Sequence, residues 1–232
     1  IYGDFQNTNG ASRANGGDDS IWGFGGDDYI VGDVVYGGRG FREAGNDTIY
    51  GGSGGDTIYG DIQSDTNSTI GGDDKINAGK GHDKVWAGGG DDIVNGGKGH
   101  DALFGGAGDD ILKGGKGRDS LLGGEGEDIL KGGKGNDRLD GGYEADTLTG
   151  AKGADTFIFN SVDGDHVTDF SQKQGDKIDL SGIDEITNWN DLRANHLVDT
   201  PGSDSFAIRV DGDSVLVEGL DFNDVMQSDF IF

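Results

Sequence analysis

The sequence has no cysteine, one proline and one methionine. Without cysteine there is neither a disulfide framework nor a thiolate metal site, and four histidines are too few for a zinc scaffold repeated along the chain. Hydrophobic residues supply only 32% of 232 positions, which excludes a large side-chain core, and no run approaches the roughly 18 residues of a membrane span. Positive charge is short too. Eighteen basic residues face 44 acidic ones, and the net charge of −26 disfavours nucleic acid or anionic lipid while favouring multivalent cations. The start, IYGDFQNTNG, has no signal-peptide character and begins in mid-pattern, which predicts a piece of a longer chain.

Glycine is what the chain has in excess: 49 residues, against an average usage of roughly 7%. Its period is not three, which excludes collagen. The unit is Gly-Gly-x-Gly-x-Asp-x-U-x, with U a large aliphatic, and its best copies begin at 96, 105, 114, 123 and 132 (GGKGHDALF, GGAGDDILK, GGKGRDSLL, GGEGEDILK, GGKGNDRLD). Weaker copies begin at 14, 23, 42, 51, 69, 78, 87 and 141. Segment 32–41 inserts a one-residue slip, so that Asp28 and Asp47 are nineteen apart. The unit at 60–68 has lost its glycines and its aliphatic but keeps Asp65 in place, and reads as a looped-out repeat that preserves a ligand.

This nonapeptide, in register more than ten times, resembles the RTX (repeats-in-toxin) calcium-binding family over residues 14 to 158. The resemblance implies an all-β fold, a right-handed parallel β-roll in which x-U-x is a short strand, GGxGxD a turn, and two nonapeptides complete one coil. Residues eighteen apart would then stack on one edge. The sequence supports that independently. Lysine precedes the turn only at every second unit (Lys80, Lys98, Lys116, Lys134, Lys152), and the residue before each aspartate reads His82, His100, Arg118, Asn136 on one edge but Asp73, Asp91, Asp109, Glu127 on the other. Position U is never polar from Ile76 and Val85 through Leu130 and Leu139, as expected of side chains that face inwards.

The resemblance also implies the ligands. A hard cation takes six to eight oxygens, and glycine-rich turns can offer main-chain carbonyls where carboxylates alone would be too dense. Each calcium ion would lie between turns eighteen residues apart, held by both aspartates and by carbonyls of Gly97, Gly99, Gly115 and Gly117 on one edge and Gly106, Gly108, Gly124 and Gly126 on the other. The expected stacks are Asp47, Asp65, Asp83, Asp101, Asp119, Asp137, Asp155, and Asp56, Asp74, Asp92, Asp110, Asp128, Asp146, with Asp28 before the slip. Counting gaps gives about ten ions.

Other motifs fail on context. GGSGG at 51–55 matches a nucleophile elbow, but Ser53 sits in repeat register with no helix to follow. No Gly-Lys pair precedes Ser or Thr as in a phosphate loop, and there is no His-Glu-x-x-His. VDGDH (162–166) and VDGDS (210–214) read as hairpin turns rather than calcium loops. His82 and His100 are spacers beside the turn, a transition-metal pair being the alternative. With no catalytic constellation the chain reads as non-enzymatic, although a catalytic domain could lie upstream. The lysine row either offsets the acidic turns or meets an acidic polysaccharide such as alginate. Two outward apolar rows, Trp86, Phe104, Leu122 and Ile93, Ile111, Ile129, mark a packing surface for a neighbouring domain or loop, sugar stacking being the alternative.

The repeat ends near residue 158, and 159–232 reads as an antiparallel β cap: strands in DHVTDF (165–170) and DKIDLSGI (176–183), a short helix in TNWNDLRANHL (187–197) capped by Thr187, and a hairpin in FAIRVDGDSVLVEGL (206–220). This region resembles the segment C-terminal to the repeats in secreted RTX proteases, lipases and alginate epimerases. The ending Asp229-Phe230-Ile231-Phe232 looks like that family's signal for a type I secretion apparatus. The resemblance therefore implies an extracellular, secreted or cell-surface module, joined to an upstream domain, that folds on meeting calcium.

Overall fold

The computed structural model describes residues 11–13, 17–35, 44–63 and 71–232. Two facing sheets make a parallel β-roll. One runs, in spatial order, through Ala11–Arg13, Tyr29–Val35, Thr57–Gln63, Lys84–Gly89, Ala102–Ala107, Ser120–Glu125, Arg138–Tyr143, Thr156–Ile158, Lys177–Asp179 and Phe230–Ile231. The other runs from Ser20–Trp22 through Thr48–Ser53, Lys75–Lys80, Ile93–Lys98, Ile111–Lys116, Ile129–Lys134, Thr147–Lys152 and His166–Val167 to Asp213–Glu218, Ser205–Val210 and Leu197–Asp199.

Alternation along each strand builds the interior. The U residues pair in register across coils, Val94 with Leu112 with Leu130 with Leu148 in one sheet and Leu103 with Leu121 with Leu139 with Phe157 in the other. All of them are buried, so the core is two columns of single apolar side chains between glycine-lined edges. Lys80, Lys98, Lys116, Lys134 and Lys152 form the expected row.

The register corrects the expected stacks. Thr48 pairs with Lys75 and Thr57 with Lys84, intervals of twenty-seven residues rather than eighteen. Asp47 therefore stacks on Asp74, and Asp56 on Asp83; the assignment of Asp47 to the edge of Asp83, and of Asp56 to the edge of Asp74, is reversed. The cause is an insertion inside the turn. Asp61 stands where Gly88 stands one coil later, yet thirteen residues separate Asp61 from Asp74 where four separate Gly88 from Asp92. The extra nine equal one nonapeptide, which keeps the phase and swaps the edge. The apparent one-residue slip is the same event with ten residues, since Tyr29 pairs with Thr57 and Ser20 with Thr48 at intervals of twenty-eight. Asp65 lies outside the described residues.

The sheets do not stop at residue 158. Val167 and Ile178 continue the two U columns, and Phe230 pairs with Ile178 in parallel. Among the described residues only Leu197–Asp199, Ser205–Val210 and Asp213–Glu218 pair antiparallel, and the last of these joins His166–Val167 in parallel. The Ser205–Glu218 hairpin turns at Asp211 and Gly212, both at positive φ as an Asp-Gly turn requires. The helix begins at Trp189, and its N-cap is Asn188 rather than Thr187, because the Asn188 side-chain oxygen accepts from the Asn190 and Asp191 N–H groups.

Candidate metal centre

Each turn presents one aspartate inwards along the edge. On one edge the N–H of Asp83 donates to Asp101 Oδ1 (3.0 Å), that of Asp101 to Asp119 (2.9 Å), of Asp119 to Asp137 (2.9 Å) and of Asp137 to Asp155 (2.8 Å). On the other, Asp74, Asp92, Asp110 and Asp128 donate in the same way to Asp92, Asp110, Asp128 and Asp146 at 2.7–2.8 Å. Asp28 donates to Asp56 and Asp19 to Asp47, which extends both ladders towards the N-terminus.

A second ladder runs the opposite way outside the first. The side chain before each aspartate accepts the N–H of the next coil: His82 Nδ1 from His100 (2.8 Å), His100 Nδ1 from Arg118 (2.7 Å), Asp91 from Asp109 and Asp109 from Glu127. The two imidazoles stack 4.9 Å apart with Nδ1 engaged in this way. That is the spacer role.

Only one oxygen of each aspartate is accounted for by these bonds. Oδ2 of Asp47, Asp56, Asp74, Asp83, Asp92, Asp101, Asp110, Asp119, Asp128, Asp137, Asp146 and Asp155 is buried with no hydrogen-bond partner. Such an atom is costly unless something positive faces it. Other oxygens crowd the same place. A Cβ built on Gly114 would lie 2.6 Å from Asp119 Oδ2 and 2.8 Å from the Gly132 carbonyl oxygen, and one on Gly96 would meet Asp101 Oδ2 and the Gly114 oxygen at 2.7 and 2.9 Å. Gly99 and Gly117 bring their backbones closer still. At Gly117, with φ +147°, a Cβ would stand 1.4 Å from the Gly99 oxygen.

Burial pushes these carboxyls up, Asp119 to about 6, Asp110 to about 7, Asp128 to about 8 and Asp92 to about 9, and neighbouring aspartates add to the rise. At neutral pH Asp128 and Asp92 would be mostly protonated unless a cation stood beside them. Among the described residues no three His, Cys, Asp or Glu side chains converge on one point. A bound ion would therefore draw on two stacked carboxylates and on main-chain oxygens. That donor set is all oxygen, as calcium prefers.

Asp165 and Asp176, absent from the expected ligands, continue the ladders into the cap. Asp146 N–H donates to Asp165 Oδ1 and Asp155 N–H to Asp176 Oδ1, both at 3.0 Å. Each keeps the Asp-x-U signature (Asp165-His166-Val167, Asp176-Lys177-Ile178) but lacks the glycine pair before it. Asp176 differs in one respect: its Oδ2 accepts the Ser171 N–H at 2.8 Å.

The outer apolar row begins earlier than Trp86. Tyr59, Trp86 and Phe104 stack face to face, with centroids 4.8 and 5.2 Å apart and planes within 8°. Their faces cover one another, so the row offers edges rather than a platform for sugar rings.

The RTX calcium-binding nonapeptide repeat model matches residues 12–34, 43–66, 69–103, 95–130, 104–139 and 122–157, together more than half of the chain. The chain belongs to this family of calcium-binding repeat proteins. Among solved structures it is similar to the AlgE6R3 subunit of the Azotobacter vinelandii mannuronan C5-epimerase, at 24% identity over 55% of this chain and 78% of that one, with a TM-score of 0.26. It is also similar to the extracellular lipase LipA of Serratia marcescens, at 17% identity over 98% of this chain, with a TM-score of 0.31, and spans 40% of the lipase's length. No curated protein matches it.

Proposed function

We propose that the chain is a folding module switched by calcium, in which residues 1–158 bind about ten ions and 159–232 close the roll. One observation carries the reading: in the two ladders, Oδ2 of twelve aspartates between Asp47 and Asp155 is buried without a hydrogen-bond partner. Without cations the acidic turns repel, and the chain stays open enough to be threaded through an export apparatus. Outside the cell, calcium at about 10⁻⁴–10⁻³ M supplies the folding free energy. The module would thus support secretion and stability of a larger exported protein, as a binder rather than a catalyst. The ending Asp229–Phe232 is our candidate export signal, in addition to its place in the sheet.

Circular dichroism during a calcium titration tests this reading. The chain should be largely disordered in chelator and become β-rich as calcium rises, with magnesium a poor substitute because its small octahedral shell resists many fixed carbonyls. A spectrum indifferent to chelator would end the proposal. The lysine row supports a second reading, a face for acidic polysaccharide; binding to alginate that weakens steeply with salt is its test.

A further inference from the structure

The two edges of the roll carry opposite charge at the same period. Along one edge Lys80, Lys98, Lys116, Lys134 and Lys152 stand one coil apart, paired in register through their strands. Along the other, Asp73, Asp91, Asp109 and Glu127 do the same, each tied to the next by a backbone N–H, with Glu125 at the same corner. All of these side chains belong to exposed residues. None is in an ion pair, since the ion pairs among the described residues are Arg138 with Asp179 and His166 with Glu218. Asp91 and Asp109 spend only Oδ1 on the N–H of the next coil.

One chain cannot bring these charges together. The lysines end the strands of one sheet and the acidic row follows the strands of the other, so the two edges lie on opposite sides of the roll. Both ladders take their spacing from the strands, about 4.8 Å per coil. A ladder of opposite sign and equal spacing meets either edge without drifting out of register, and the chain carries one of each. A two-fold dimer through a single edge would set lysine against lysine. Shifting a copy sideways with the roll axes parallel instead sets the lysine edge against the acidic edge, and each rung gains an opposite charge. The net charge of −26 opposes such contact, but about ten calcium ions of charge +2 would lower it to about −6.

We propose that folded rolls associate side by side, with the Lys80–Lys152 edge of one copy seated on the Asp73–Glu127 edge of the next. The contact is heterologous, so a row of copies keeps a free edge of each sign at its ends and can grow. The inference rests on the calcium-folding reading above for the neutralisation that lets two copies approach. Each exposed pair is weak, so the contact acts as a sum over rungs and depends on protein concentration and on salt.

The test is sedimentation velocity of the whole chain in saturating calcium, over a series of protein concentrations at about 0.01 M and about 1 M salt. The expected result is a sedimentation coefficient that climbs with concentration at low salt and stays at the monomer value at high salt, where the screening length is about 3 Å. Lys116→Glu with Lys134→Glu, and separately Glu125→Lys with Glu127→Lys, should each raise the concentration needed for association about tenfold or more. An equimolar mixture of the two variants should recover it, because the reversed edges match. Circular dichroism checks that each variant folds in calcium, and should one not fold, the salt series on the wild-type chain decides. A wild-type chain that is monomeric at low salt, or association indifferent to salt and to both variants, would overturn the proposal. Alginate bound by that monomer, and released by Lys116→Glu with Lys134→Glu, would assign the edge to acidic polysaccharide. A spectrum indifferent to chelator would overturn the calcium reading alone, since the salt and charge-reversal arms still judge the contact.

Discussion

Asp110 is the position at which the ladder can be dissected. Its Oδ1 accepts the Asp92 N–H at 2.8 Å, and its Oδ2 is buried without a partner, near the Gly123 carbonyl oxygen. Asp110→Ala removes both functions. It strands the N–H of Asp92, a loss of about 1–3 kcal/mol, and takes one carboxylate from the ions above and below. Asp110→Asn keeps the acceptor and loses the charge, so it isolates the second cost. Asp163→Ala, at a half-buried turn position off the ladder, is the control and should stay within about 0.5 kcal/mol of wild type. The choice of assay matters. If about ten ions bind in one transition, a deficit of about 2 kcal/mol moves the calcium midpoint by only about 1.4-fold, because the change is divided among all the ions. Urea unfolding at fixed, saturating calcium reads the deficit directly, and the expected order of stability is wild type and Asp163→Ala, then Asp110→Asn, then Asp110→Ala. Equal urea midpoints for Asp110→Ala and Asp163→Ala would refute the register and the ligand role together.

The carboxyl shifts predict a pH response with a definite sign. Asp119, Asp110 and Asp92 rise from 3.8 to about 6, 7 and 9 in the folded chain, so their contribution to the calcium-free fold is complete below about pH 4 and is lost as pH climbs through 6 to 9. The calcium-free chain should therefore be more compact by small-angle scattering at pH 4 than at pH 8, and the opposite order would refute the assignment. Gly117→Ala should cost more than the roughly 1–3 kcal/mol of a strained φ, since its Cβ also meets the Gly99 oxygen; a urea midpoint like that of wild type would count against the turn geometry. Phe230→Ala should remove about 3–5 kcal/mol from the cap, as a buried ring between Trp189 and Phe206 disappears, and thermal unfolding followed at tryptophan will show whether it does.

Much of this was legible before the structure. Position U told inside from outside because only a buried column has reason to exclude polar residues for so many units, and the lysine period of eighteen exposed the two edges. Asp211-Gly212 marked the hairpin. The edge assignment upstream of residue 70 failed because counting treats chain length as distance along the roll. An excursion of nine residues, made at one position of one turn, is invisible to phase and yet moves Asp47 and Asp56 to opposite edges. Asp165 and Asp176 were missed for a different reason. The repeat was recognised by its glycines, whereas the ladder needs only a carboxylate before an inward aliphatic.

The ladder is also polar, and its two ends are unlike. From Asp19 to Asp155 the aspartate N–H groups in it are satisfied by carboxylates further along the chain, so each rung of this ladder is completed by the coil that follows it. At the far end Asp176 supplies the last acceptor and turns its remaining oxygen to the Ser171 N–H, so it asks for no coil beyond. The edge that carries Asp155 is closed at its C-terminal end. Further nonapeptide pairs could be inserted among the regular coils without redesign of anything downstream, since each aspartate there accepts from the coil before it and donates to the coil after it. A lengthened roll needs no second terminator, and a shortened one keeps its seal as long as the cap remains.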